Sequence, residues 1–336
     1  MNKVKVMARF VFGVVAIGAM FGCASNPPAT TENVGALAGD TLWTSPASNG
    51  QQVVLGRLLF FDPRLSRDGQ AACIGCHSLT KFGVDGKPAG ITLSAPGAVM
   101  NAPSVFNTQA HIALFWSRPI TADSAHAALS TGAVTVTMTT TSERALLDTL
   151  GRVPRYVELF RSAFPGDPQP ISLKNVAEAI ETFERGLVSS TRWDKFLAGD
   201  ASALTLEEKL GLRVFIKSGC VACHTGPQVG GTMFQQVGIA YPWPKAKKQG
   251  QGAAADSPME RLVLHVPSLK NIAETAPYFR SGETSNLHAA IRLMGHHQLG
   301  IELSNEDVDA IAAWMRALSA DVDPAYIKPP ELPLGS

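Results

Sequence analysis

Apolar positions along the chain fall into short helical stripes, separated by Gly- and Pro-rich segments. Val54, Leu55, Leu58 and Leu59 share one helix face, and Phe60-Phe61-Asp62-Pro63 stops that helix. Val176, Ile180, Phe183 and Leu187 mark a second helix, placed to join two halves of the chain. Thr205-x-x-Glu208 is a capping box opening a helix that carries Leu206, Leu210 and Val214. Ser285 reads as the N-cap of a helix with Leu287, Ile291 and Met294 on one face. Ser304-x-x-Asp307 caps a last helix with Val308, Ile311, Met315 and Leu318 inward. Lys81 to Ala102 and Tyr241 to Pro258 have no period and read as loops. Thr-rich Leu129 to Ser142 is a loop or, through the Val134–Met138 alternation, a short strand. Pro324 to Ser336 carries four prolines and reads as an extended tail. The predicted fold is mainly α.

A length of 336 residues favours two domains, and a net charge of +1 gives no case for nucleic acid. Lys3, Lys5 and Arg9 precede an apolar run from Phe10 to Phe21. That run is short of the roughly 20 residues that span a bilayer and reads as a secretory signal. It ends at Gly22-Cys23, close to a bacterial lipobox, with Met20 and Phe21 imperfect matches. We expect export to the periplasm and a lipid anchor on Cys23, the alternative being cleavage nearby without lipid. The expected organisation is a signal over 1–22, a flexible tether over 23–45, domains over 46–170 and 171–322, and a tail over 323–336.

Of five cysteines, Cys23 stands alone. The other four lie in Cys73-Ile74-Gly75-Cys76-His77 and Cys220-Val221-Ala222-Cys223-His224. Each is the C-x-x-C-H pattern of c-type haem attachment: two thiols for the porphyrin vinyl groups, and an adjacent imidazole for the iron. A structural zinc would want four such donors converging from closely spaced knuckles, which the wide separation of the pairs does not offer. One covalent haem per domain also supplies apolar core to two small units. Cytochrome c-like domains are therefore expected, with the Lys81–Ala102 loop over the first haem.

The surrounding sequence resembles the bacterial di-haem cytochrome c peroxidases and their MauG-type relatives over roughly 50–320. The resemblance rests on Leu55-Gly56-Arg57-Leu58-Leu59-Phe60-Phe61-Asp62-Pro63-Arg64-Leu65-Ser66, Asn101-Ala102-Pro103-Ser104-Val105-Phe106-Asn107, Phe115-Trp116 and Phe183-Glu184-Arg185. It continues through Phe196-Leu197-Ala198-Gly199-Asp200, Val266-Pro267-Ser268-Leu269-Lys270-Asn271, Thr275-Ala276-Pro277-Tyr278-Phe279 and Met294-Gly295. It implies that His77 serves a peroxide-binding haem, and that His224 and Met294 ligate an electron-transfer haem. By spacing alone Met294 would be an ordinary core methionine. It also implies that Trp116 bridges the haems and that Asn101, with the carbonyls of Thr275 and Pro277, holds calcium. The implied partners are hydrogen peroxide and a small cytochrome c or cupredoxin donor, and the implied assembly is a homodimer.

Two departures from the pattern cluster on the peroxide side. Leu93 stands where many of these enzymes carry a blocking histidine, and none occurs between His77 and His111. His111 and His126 are reserve ligands, though the leading reading of each is a surface or loop residue. The region that should supply a distal glutamate aligns around Thr137-Met138, and a threonine is no general base near neutral pH. Glu143, His126 and Asp123 are the nearest ionisable alternatives. Peroxidase is the leading reading. The alternatives are a MauG-type oxidant of Trp or Tyr on a partner protein, and a non-enzymatic di-haem electron carrier.

Overall fold

A computed structural model describes residues 37, 50–66, 69–88, 91–92, 99–108, 111, 143–243, 263–320 and 322–334. The signal over 1–22, Cys23, Leu93, Trp116, Asp123, His126, the Thr-rich segment and Thr137 lie outside them. Ten α-helices among the described residues follow in order. They are α1 (Gly50–Phe61), α2 (Cys73–Cys76), α3 (Glu143–Gly151), α4 (Pro154–Ala163), α5 (Leu173–Glu184), α6 (Arg192–Leu197), α7 (Leu206–Lys217), α8 (Leu287–Met294), α9 (Asn305–Arg316) and α10 (Pro324–Ile327). Two small antiparallel pairs join β1 (Ile91–Thr92) to β2 (Val99–Met100), and β3 (Phe234–Gln236) to β4 (Val263–His265).

Two apolar clusters organise these helices. The first gathers α1, α3, α4 and α5 around Leu59, Phe60, Phe160 and Phe183. The second gathers α6, α7 and α9 around Trp193, Phe215 and Trp314. Both are built on one plan. Helix α1 crosses α5 where Gly56 meets the Ala179 carbonyl, and α7 crosses α9 where Gly211 meets the Ala310 carbonyl. A Cβ on either glycine would sit 1.8 Å from that oxygen, so only glycine lets the backbones come so close. Phe60 then packs on Phe183 with centroids 5.5 Å apart, and Phe215 on Trp314 at 4.7 Å.

The crossings explain where the hydrophobic pattern misleads. Leu206, Leu210 and Val54 are exposed, because Gly211, Leu212 and Phe215 face α9, and Gly56, Leu59 and Phe60 face α5. The Thr205–Glu208 capping box forms, and buried Glu208 also takes Arg192 as its ion partner. The cap of α8 is Asn286 rather than Ser285: its Oδ1 accepts from Ala289 N at 3.0 Å. Ser304 caps α9, and Val308, Ile311, Met315 and Leu318 are buried as expected.

Helix α5 lies wholly in the first cluster, so the two cores divide between Leu187 and Trp193, not at residue 170. Leu37, inside the segment read as a flexible tether, is packed in the second cluster. The Lys81–Ala102 segment holds the β1–β2 pair, where only loop was expected. Nor is the tail simply extended. It folds α10 and returns to the first cluster, where Tyr326 stacks on Phe183 and donates to its carbonyl at 2.7 Å. Arg57 and Arg64 donate to the Ala325 and Pro333 carbonyls, each at 3.0 Å, and fasten the strap.

Candidate haem centres

Each Cys-x-x-Cys-His motif closes one tight turn. His77 N donates to Cys73 O at 2.9 Å, and His224 N to Cys220 O at 3.1 Å. The turn keeps both cysteines and the imidazole within five consecutive residues, the spacing that attachment to a single porphyrin requires. Both thiols of each pair are free and partly buried. Burial pushes the Cys73 thiol up to about 12 and the Cys220 thiol up to about 11.

The imidazoles are oriented alike. His77 Nδ1 lies 3.1 Å from the Gly83 carbonyl, and His224 Nδ1 lies 3.3 Å from that of Val229. A backbone acceptor on Nδ1 fixes the tautomer and leaves Nε2 for the iron. Burial depresses both rings, His224 to about 4, so they are neutral and fit to ligate.

The hydrogen bonds of the flanking serines repeat as well. Ser104 Oγ donates to Phe82 O, and Ser268 Oγ to Gln228 O, both at 2.7 Å. The same hydroxyls accept from Phe106 N and Lys270 N, both at 3.0 Å. Asn107 and Asn271 close these loops in the left-handed region, at φ 58° and 59°. Pro103-Ser104-x-x-Asn107 and Pro267-Ser268-x-x-Asn271 are thus one motif used twice. The repeat is visible in the sequence once the two segments are set side by side.

A family model described as di-haem cytochrome c peroxidase matches residues 50–202. Cytochrome c551 peroxidase of Pseudomonas aeruginosa is 38% identical over 275 residues, covering 80% of this chain and 79% of that protein. The chain belongs to the di-haem cytochrome c peroxidase family. MauG, the methylamine utilization protein of Methylorubrum extorquens, is 30% identical over 300 residues, covering 84% of this chain and 82% of MauG. In fold the chain is similar to the diheme peroxidase BthA from Burkholderia thailandensis, with TM-score 0.63 at 18% identity over 90% of each chain. The protein is therefore a di-haem peroxidase-like enzyme of two cytochrome c-like domains, in a family that implies two c-type haems.

The remaining candidates fall in different places. Met294 ends α8 half-buried and leads into a wider turn over Gly295–Leu299. Asn101 meets the second half: its Nδ2 lies 2.6 Å from Pro277 O and 3.2 Å from Phe279 O, and its N donates to Arg280 O at 2.7 Å. Thr275 sits two residues before that contact, its hydroxyl turned to Ile272 O. Glu143 is exposed at the first turn of α3. His111, a reserve ligand in the sequence reading, packs against Gly231 and His265 of the second half. Among the described residues no helix is long and apolar enough to cross a membrane.

Proposed function

We propose that the enzyme reduces hydrogen peroxide to water with electrons from a small cytochrome c or cupredoxin. The first half takes peroxide and the second takes electrons. The pair of matched Cys-x-x-Cys-His turns, in a chain whose relatives are named peroxidases, carries this reading. Bound haem supplies the redox chemistry. His77 and His224 hold the irons through Nε2, and the Gly83 and Val229 carbonyls keep the rings in line. Met294 completes the second centre with a thioether, which raises its potential and suits it to store an electron. Trp116 is the residue that passes electrons between the two haems in this reading.

Asn101, with the Thr275 and Pro277 carbonyls, holds one calcium ion where the halves meet. The convergence of main-chain oxygens on the Asn101 amide supports this, since turning that amide adds a hard oxygen donor. The N-terminal segment exports the chain to the periplasm, where Cys23 carries lipid, and the protein works as a homodimer.

Peroxide reduction consumes two protons and two electrons per molecule. The distal pocket must therefore move protons, and Thr137 in place of a carboxylate makes that step slow. Glu143 and His126 are the alternative carriers. Leu93 favours a second reading, a MauG-type oxidant of Trp or Tyr on a partner, because it leaves the first centre open at rest. Mixing the haem-loaded enzyme with peroxide and a reduced small cytochrome c separates the two. Oxidation of two donor molecules per peroxide supports the peroxidase. An unoxidised donor beside a newly modified partner protein favours the second reading.

A further inference from the structure

His111 comes from the first half of the chain and His265 from strand β4 of the second, and their ring centres lie 5.5 Å apart. The Nε2 atoms of both rings are buried and have no hydrogen-bond partner among the described residues. A buried polar nitrogen without a partner costs about 1–3 kcal/mol, so two side by side call for an occupant. The pocket is shaped for His111. Gly231, at φ +85°, packs so closely that a Cβ there would lie 2.6 Å from His111 Cδ2. Gly231 N also donates to Val266 O at 2.9 Å, which ties this wall to the residue after His265.

The wiring of His265 resembles that of the two iron ligands. Its other ring nitrogen faces the Gly231 carbonyl, so Nε2 is left as a lone pair. Burial, and next the neighbouring His265, push His111 down to about 3, and burial lowers His265 as well. Both rings are neutral near pH 7, the form a metal ion requires. Imidazoles sharing one ion at about 2.0–2.1 Å hold their ring centres roughly 5–6 Å apart, which matches the observed spacing.

We propose that His111 and His265 form a two-imidazole site for a first-row transition-metal ion of the zinc or copper class, bridging the two halves. No group of three His, Cys, Asp or Glu placed to hold a metal ion exists among the described residues, so water or main-chain oxygen completes the shell. Neither histidine belongs to a haem motif.

The test uses haem-loaded full-length protein, freed of loose metal with a chelator and titrated calorimetrically with Zn2+, which is redox-inert. One equivalent should bind per chain. His111→Asn and His265→Asn should each weaken uptake at least ~10-fold, with both haems retained by mass. Zn2+ should raise the melting temperature of the wild type alone. Absence of uptake, or uptake undiminished in both variants, overturns the site. So does a shifted haem potential with unchanged Zn2+ binding, because the two nitrogens would then be serving a haem carboxylate.

Discussion

Asn107 and Asn271 donate through Nδ2 to the same oxygen, Ser189 Oγ, each at 3.1 Å. All three side chains are buried, and Ser189 N returns a bond to Asn107 Oδ1 at 3.2 Å. The two proximal loops, one per half, are thereby pinned to one residue of the short connection between the cores. Ser189→Ala leaves two amides without that acceptor, at about 1–3 kcal/mol for each. Chemical denaturation of the haem-loaded protein should show a loss of that order, non-additive with Asn271→Ala. A loss below ~0.5 kcal/mol would mean the node is idle.

The two helix crossings should answer alike to the same change. Gly56→Ala and Gly211→Ala each force a methyl into a carbonyl 1.8 Å away. Overpacking of this kind costs about 1–3 kcal/mol or more. Matched drops in melting temperature are expected. A crossing that tolerates alanine would break the equivalence of the halves.

Glu184 lies at the end of α5, half-buried beside the first core. Burial, and then the like charge of Glu181, push its carboxyl up to about 8. The folded chain therefore keeps a proton that the unfolded chain has already released. The stability it contributes is full below the ordinary carboxylate range and is lost as pH rises through about 8. Unfolding midpoints taken across that window should fall with pH in the wild type and flatten in Glu184→Gln. Equal slopes in the two proteins would place Glu184 in water.

These features differ in how legible they are from sequence. The haem-attachment motifs are readable because Cys-x-x-Cys-His is local chemistry at fixed spacing. Both Thr205 and Ser304 are found as caps because capping needs a hydroxyl next to a short stretch of backbone. The inward faces of α1 and α7 are not, because glycine makes the tightest contact there and a hydrophobic pattern ignores it. Helix α5 joins the first cluster, and the tail returns to it, through contacts distant in sequence, such as Tyr326 with Phe183. Ser189 and His265 carry no motif of their own. Only the chain partners they meet give them a role.

The distal side makes a prediction of opposite sign for binding and for rate. With Leu93 unable to ligate, the oxidised enzyme should take up cyanide without prior reduction. With Thr137 unable to carry a proton, peroxide turnover should be slow, since acid–base help is worth ~10²–10⁴ in rate. Thr137→Glu should raise the rate. If instead Glu143→Gln or His126→Ala collapses activity and Thr137→Glu does little, the proton travels through those residues.

The division of labour between the halves is tested most directly by a redox titration of the enzyme and of Met294→Leu, with and without cyanide. Two steps are expected. Loss of the thioether should lower the higher-potential step, whereas cyanide, binding the centre without Met294, should move the lower one alone. If cyanide and Met294→Leu shift the same step, a single haem is performing both tasks and the assignment of peroxide to the first half is wrong.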